Sequence, residues 1–139
     1  MQTFLPYSDF EVTASVLDQK RLGKQRVETL QIMSAMLKGT GWIHHPATKM
    51  WQGFEIALFD YQLAICNEWT ARGFQDTCLA KTWDIIEDYS DQRELVIPWW
   101  MGSMDIHVSH QSNLVRKNSE IYRPFFPHVP DDLPYIWPV

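Results

Sequence analysis

The sequence lacks the features of several large protein classes. None of its apolar runs approaches the roughly 20 residues that are needed to cross a bilayer. Residues 1–6 have neither the basic start nor the apolar stretch of a secretory signal peptide. Only two cysteines are present, Cys66 and Cys78, and we expect both to be reduced thiols in the core. These absences favour a cytoplasmic protein that works away from membranes.

Motifs of two common kinds of enzyme are also missing. The chain has no glycine-rich phosphate loop and no serine nucleophile elbow, which argues against a nucleotide cofactor and against a hydrolase of that class. No segment alternates apolar and polar residues over a sustained length, so we predict no β-strand. A chain of 139 residues is long enough for one domain with a core. We therefore predict a single compact all-α domain over residues 1–139.

Capping residues and glycines divide this domain into about four to five helices. The predicted helices span residues 8–17, 18–38, 46–72, 76–89 and 105–117. Ser8 followed by Glu11 is a capping-box pattern at the start of the first helix. The second begins at Asp18 and ends before Gly39, which favours a left-handed cap. Five of the eight prolines follow residue 122, so residues 122–139 are predicted to be an extended, aromatic-rich tail that wraps the body.

The predicted helix 46–72 has an apolar stripe with spacings of three and four residues, which is typical of a core helix. The stripe consists of Trp51, Phe54, Leu58, Tyr61, Ile65 and Trp69. Glu55 lies beside the stripe and is a second-choice candidate for a catalytic acid. The alternative is that Glu55 is a buried partner for Arg26.

Basic residues are concentrated in two short stretches although the net charge is −5. Four of the twelve basic residues fall within seven positions, and a second group lies near the C-terminus. The two groups are Lys20, Arg21, Lys24 and Arg26, and Arg116, Lys117 and Arg123. A basic patch on an acidic body predicts a nucleic-acid interface, and a solvated helix face is the alternative.

Glu28 shares one side of the predicted helix 18–38 with Arg21 and Lys24. A carboxylate among cations suits base excision, because it stabilises positive charge on the sugar while the cations hold phosphates. The simpler alternative is a surface ion pair between Lys24 and Glu28, one helical turn apart. Arg26 instead falls on the apolar face, so it either pairs with a buried acid or borders an open site.

Four histidines occur in two pairs, and their roles stay open at this stage. The pairs are His44 with His45, and His107 with His110. We favour hydrogen-bonded histidines that line a groove, and we expect no metal. The alternative is a transition-metal site that Glu55 or Asp105 completes.

Three stretches occur in the order found in a known family. They are Asp18-Gln19 with Arg26 and Glu28, then 55–61 with Arg72-Gly73-Phe74, then 112–117 with Tyr122-Arg123-Pro124-Phe125-Phe126. With these stretches the chain resembles the pyrimidine-dimer DNA glycosylases of the phage endonuclease V type. It resembles still more the uncharacterised bacterial and phage relatives of that family.

The resemblance implies a metal-free and cofactor-free enzyme that flips a nucleotide of double-stranded DNA and cuts its glycosidic bond. In the family an amine forms a Schiff base with the sugar, a glutamate assists, and a lyase step can follow. Glu28 would take the glutamate's role, and Arg26 that of a DNA-contacting arginine. The amine would belong to Met1, which the bulky Gln2 should preserve, or to Lys24 or Lys20.

The resemblance also implies which side chains hold the DNA backbone. They are Lys20, Arg21, Lys24, Arg26, Arg116, Lys117, Tyr122 and Arg123. The leading prediction is therefore a monomeric DNA glycosylase, with or without an AP-lyase step, that removes a damaged or modified pyrimidine. Two alternatives stay open: a non-catalytic DNA-binding module of the same fold, and a metal-dependent enzyme built on the histidine pairs.

Overall fold

The computed structural model describes all 139 residues and contains seven helices and no strand. The helices are α1 (Phe10–Val16), α2 (Gln19–Lys38), α3 (Pro46–Trp51), α4 (Glu55–Ala71), α5 (Cys78–Tyr89), α6 (Met104–Lys117) and α7 (Ser119–Tyr122). The predicted all-α class is confirmed, with seven helices where four to five were expected. None of the seven combines the length and the hydrophobicity that crossing a membrane requires.

Helix α2 has the boundaries that its capping residues predict. The Asp18 side chain accepts a backbone N–H of the first turn, and Gly39 ends the helix with a φ of 70°. Helix α1 is capped differently from the prediction, because Asp9 and not Ser8 accepts the N–H of its first turn. Ser8 is exposed and one position too early to reach those donors.

The predicted continuous helix 46–72 is wrong, because the chain forms two helices separated by a turn. Helix α3 ends at Trp51, and α4 begins at Glu55. Gly53 between them has a φ of 85°, a conformation that no α-helix contains and that favours glycine. Trp51 is fully buried on one side of the turn and Leu58 on the other, so the apolar periodicity runs straight across the break and conceals it.

The first residues of the chain run through the middle of the molecule. Residues 2–6 form no regular secondary structure, yet all are buried. Trp51 donates its indole N–H to the Thr3 hydroxyl at 3.0 Å, and Gln111 donates to the Pro6 carbonyl at 2.8 Å. We call residues 2–6 the N-terminal strap. Because α2, α3, α4 and α6 all bind it, the strap's position follows from the packing of most of the fold.

The last residues form a second irregular segment, which lies along α6. Residues 123–139 contain no helix, in agreement with the predicted tail, although Tyr122 still belongs to α7. Ser112 and Asn113 of α6 bind the backbone of Leu133 at 3.0 and 3.1 Å. Cys66 and Cys78 lie elsewhere in the body as buried free thiols, as expected.

Candidate active site

A cavity of about 450 Å³ lies where the start of the chain meets α2 and the end of α6. Its lining includes Met1, which carries the α-amine, and the charged side chains of Lys20, Arg21, Lys24, Glu28 and Lys117. The structure thus brings together six of the residues that the sequence singled out. Four cationic side chains around one carboxylate make the cavity attractive to a polyanion while leaving one negative group inside it.

Lys20, Lys24 and Glu28 form a ridge on α2, because they follow one another at four-residue intervals. The same three side chains also line a more open cavity of about 700 Å³ on the far side of the ridge. Gly23 and Trp69 lie in that second cavity, and the Trp69 indole approaches so closely that a Cβ on Gly23 would stand 3.1 Å from it. Glu28 is therefore accessible from two sides and is not sealed in the core.

Hydrogen bonds hold the Glu28 carboxylate against the start of the strap. Its Oε2 accepts the Gln2 backbone N–H at 3.0 Å and a Gln25 side-chain N–H at 3.2 Å. The carboxylate thus binds the residue that directly follows the α-amine. Burial lowers the pKa of His45, the positive chain terminus lowers it further, and Glu28 opposes both effects. The charges of the α-amine and of Glu28 therefore both act on His45.

Gln25 and Tyr61 fix the next part of the strap. Gln25 donates to the Gln2 carbonyl at 2.8 Å, and its Oε1 accepts the Phe4 N–H at 3.0 Å. The Tyr61 hydroxyl lies 2.7 Å from the Phe4 carbonyl oxygen and 2.6 Å from Gln25 Oε1. Gln25 and Tyr61 are fully buried, so these bonds form without competition from water.

His107 and His110 hold both backbone polar groups of Leu5. His110 Nδ1 accepts the Leu5 N–H at 2.9 Å, and His107 Nδ1 lies 2.8 Å from the Leu5 carbonyl oxygen. His107 Nε2 accepts the Gly102 N–H at 3.1 Å, so in the neutral ring Nδ1 carries the proton and donates to Leu5. Burial, with His107 adding to it, lowers the pKa of His110 to about 3. The pair is hydrogen-bonded, as expected, and anchors the strap. Neither ring lines the cavity that contains Glu28, and His107 lines a separate cavity beside Pro6 and Gln111.

The other histidine pair and Glu55 do not reach the cavity lining. His45 caps α3 by accepting the Ala47 N–H on Nδ1 at 3.0 Å, and His44 is exposed. Glu55 is buried and accepts a hydrogen bond from the Ser90 hydroxyl at 3.2 Å, so it is not the partner of Arg26. No three side chains of histidine, cysteine, aspartate or glutamate are grouped as metal ligands would be.

Arg26 contacts Asp76 and Trp69 on another side of α2. Its guanidinium lies 2.6 Å from the Asp76 carboxylate and 4.4 Å from the centroid of the Trp69 ring. Burial would raise the pKa of Asp76, but the N–H of Leu79, Arg26 and further hydrogen bonds lower it overall. Of the two alternatives for Arg26, pairing with a buried acid is the one in the structure. The side chain is not part of the cavity lining.

Three more candidates for DNA contact have other partners. Tyr122 is fully buried and hydrogen-bonded to Asp18, so its side chain is not available to DNA, which corrects the expectation. Arg116 donates to the Asp131 and Leu133 carbonyls, and Arg123 donates to the carbonyls of residues 126 and 129. Both arginines therefore hold the tail. Of the C-terminal basic group, only Lys117 lines the cavity.

Sequence reasoning singled out His107 and His110 and placed Tyr61 in the core stripe, but it missed Gln25 and the contacts of all four with the strap. Gln25, Tyr61, His107 and His110 are polar groups on otherwise apolar helix faces, and that pattern was the available signal. A buried polar group needs a partner. The partner here is the irregular backbone of residues 2–5, which no helical periodicity points to. Tyr135 of the tail also lines the cavity without having been singled out.

Comparison with protein families gives a match over the first half of the chain and beyond. Residues 1–82 match the family model described as pyrimidine dimer DNA glycosylase, which is more than half of the 139 residues. The matched range contains the strap and helices α1 to α4, and therefore Met1, Lys20, Lys24 and Glu28. No curated protein and no solved structure matches the chain.

Proposed function

Because the chain belongs to the pyrimidine dimer DNA glycosylase family, we propose that it excises a damaged or modified pyrimidine from double-stranded DNA. One observation carries the proposal. The strap holds the backbone of residue 2 on the Glu28 carboxylate, within a cavity whose other charged side chains are cations. An amine, a carboxylate and phosphate-binding groups are the parts that this chemistry requires, and the cavity contains all three.

The cations of the cavity are suited to the DNA backbone in spite of the net charge of −5. Lys20 and Lys24 are exposed and have no salt-bridge partner, and Lys117 is exposed beside them. Backbone phosphates bind such groups without regard to sequence. The acidic remainder of the surface repels DNA, so binding is directed to this cavity.

The proposed reaction begins with the unprotonated α-amine of Met1. Its lone pair forms a bond to C1′ of the flipped nucleotide while the bond from C1′ to the base nitrogen breaks. The electron pair of that bond leaves with the base, which takes up a proton. Positive charge develops on the sugar, and the Glu28 carboxylate stabilises it electrostatically. The amine nitrogen then loses a proton, and its lone pair forms the second bond to C1′ while the bond from C1′ to the ring oxygen breaks. The ring oxygen takes up a proton, and a Schiff base joins the amine to C1′.

An AP-lyase step is the second part of the proposal. The Schiff base acidifies the proton on C2′, and its removal by a base expels the 3′-phosphate and nicks the strand. The proposal assigns the acceptance of this proton to Glu28, the carboxylate in the cavity lining. Lys24 and Lys20 line the same cavity and are the alternative amines if the α-amine does not react.

The test is a panel of duplexes that carry a pyrimidine dimer, modified pyrimidines or an abasic site. We expect base release from at least one duplex, and a borohydride-trapped adduct with the abasic one. Glu28→Gln should lower the release rate by about 100-fold or more, as the loss of one electrostatic group at a reacting centre does. Glu94→Gln, at an exposed loop position, is the matched control and should not change the rate. Binding of every duplex without release or adduct would instead support the non-catalytic DNA-binding module.

A further inference from the structure

Gln25 is a buried side chain of α2 whose hydrogen-bonding capacity is fully used. Its amide nitrogen donates to the Gln2 carbonyl at 2.8 Å and to Glu28 Oε2 at 3.2 Å. Its amide oxygen accepts from the Phe4 N–H at 3.0 Å and lies 2.6 Å from the Tyr61 hydroxyl. A glutamine amide has two donors and two acceptor positions, and each has a partner here, with the single Tyr61 hydroxyl proton shared between Gln25 Oε1 and the Phe4 carbonyl oxygen. Its exposed fraction is 0%, and every one of these bonds is internal.

We propose that Gln25 is a positioning residue that fixes the α-amine relative to the Glu28 carboxylate, an inference that rests on the proposed glycosylase function. One planar amide touches the carboxylate, residue 2 and residue 4. A movement of the strap therefore moves the amide, and the amide moves Glu28 with it. Small errors in the placement of reacting groups cost large factors in rate, so such a link preserves reactivity during thermal motion.

The amide also donates a hydrogen bond to the Glu28 carboxylate. Other groups act on the same carboxylate from several elements. They are Lys20, Arg21 and Lys24 on α2, Lys117 on α6, the α-amine and His45. Tyr61 and Tyr135 also interact with it electrostatically. Among all these groups, Gln25 is the side chain that donates a hydrogen bond to Glu28.

Gln25→Glu is the variant that tests the role, because it keeps the size and removes both donors. A second carboxylate beside Glu28 disfavours its ionised form, so maximal rate should require more alkaline solution. We expect the borohydride-trapping rate on an abasic duplex to fall at least tenfold at pH 7 and the acidic limb of its pH profile to move to higher pH. The dissociation constant for the same duplex should stay within about threefold, because the cavity's cations are unchanged.

Gln62→Glu is the matched control. Gln62 is also fully buried in the interface of α2 and α4, and it donates to the Arg26 carbonyl at 3.0 Å. It touches neither the strap nor Glu28, so its variant adds the same charge and should lose similar stability. Its pH profile should keep the wild-type shape. An equal shift in both variants, or a Gln25→Glu profile that keeps the wild-type position, would overturn the proposal.

Two further measurements cover the cases in which the main test fails. If wild-type protein neither releases a base nor forms an adduct, the proposed function fails, and the carbon-13 titration of the Glu28 carboxyl then decides on Gln25. A midpoint at higher pH in Gln25→Glu but not in Gln62→Glu supports the contact, and equal midpoints contradict it. If Gln25→Glu does not fold, Tyr61→Phe loosens the amide by removing one hydroxyl. We then expect a several-fold slower trapping rate with unchanged DNA affinity, and a wild-type rate would overturn the proposal.

Discussion

The N-terminal strap and the C-terminal tail are both irregular segments that lie against helices, but they differ in how deeply they are buried and in how much they depend on charged side chains. Neutral side chains in the core hold the strap, among them Gln25, Tyr61 and His110. Buried Ser112 and Asn113 hold the tail at Leu133, and Arg116 and Arg123 hold it elsewhere by donating to its carbonyls. Residues 2–6 are all buried, whereas most of residues 123–139 are exposed or half-buried.

The difference shows where the fold requires positional accuracy. A buried hydrogen bond has no water to replace it, so breaking it leaves an unsatisfied group and costs about 1–3 kcal/mol. An exposed charged contact is readily replaced by water and contributes about 0–1 kcal/mol. The strap directly follows Met1, whose α-amine lies in the candidate active site. The tail contributes only Tyr135 to the lining of that site. Rigidity is thus greatest where the proposed chemistry takes place.

Removing a strap anchor should have the largest effect on stability. His110→Leu leaves the Leu5 N–H buried without an acceptor, and it fills the site with a side chain of different shape. We expect a loss of about 2–4 kcal/mol in the free energy of unfolding, which is the range for a buried unsatisfied group combined with repacking. Urea unfolding measures the loss. An effect below about 0.5 kcal/mol would mean that the strap is held no more firmly than the tail.

The pH dependence of stability sharpens the same comparison. The pKa of His110 falls from its ordinary 6.5 to about 3 on folding, so the folded state favours the neutral ring. The stabilisation is complete above pH 6.5 and is lost progressively as the pH falls from 6.5 towards 3. His110→Asn offers an acceptor for Leu5 but does not titrate, so its stability should change less with pH in that window. Urea midpoints at pH 7.5, 5.5 and 4.5 give the two slopes, and parallel slopes would contradict this account.

Lys24 and Arg116 should differ in their effect on the salt dependence of DNA binding. Lys24 is exposed in the cavity, whereas Arg116 donates to tail carbonyls. Lys24→Gln should reduce the slope of log K against log salt concentration by about 0.9, the value for one phosphate contact. Arg116→Gln should leave the slope unchanged. Titrations of one duplex at several salt concentrations provide both slopes, and a larger change for Arg116→Gln would place the DNA on the tail side.

A tail anchor should have the smallest effect. Arg123→Met removes the hydrogen bonds to residues 126 and 129, and we expect at most about 1 kcal/mol of lost stability. The borohydride-trapping rate should equal that of the wild type, because the strap and Glu28 are untouched. A trapping rate that falls tenfold or more would show that the tail shapes the reacting centre.

Local chemistry made some elements predictable from the sequence. Asp18 and Gly39 bound α2 through contacts within one helical turn, so their types are informative by themselves. The cationic cluster around Glu28 was visible for the same reason, since Lys20, Lys24 and Glu28 share one helix face. The resemblance to the glycosylase family rested on three stretches in order between residues 18 and 126, and the family match over residues 1–82 confirms the family.

Contacts between distant parts of the chain were not predictable in this way. Arg26 pairs with Asp76, fifty positions away, and the histidines of α6 bind Leu5 more than a hundred positions away. Such pairs follow from how the helices pack and not from any spacing in the sequence. The break between α3 and α4 at Gly53 was not predicted, because the apolar residues on its two sides keep a helical period.

The most direct test of the central claim is to locate the trapped sugar on the protein. Wild-type protein is reduced with borohydride on an abasic duplex, digested, and analysed by mass spectrometry of its peptides, beside an intact-mass measurement that shows whether Met1 is retained. The account predicts the adduct on the α-amine of the N-terminal peptide, which the strap holds beside Glu28. An adduct on Lys24, on Lys20 or on a lysine outside the cavity would contradict it.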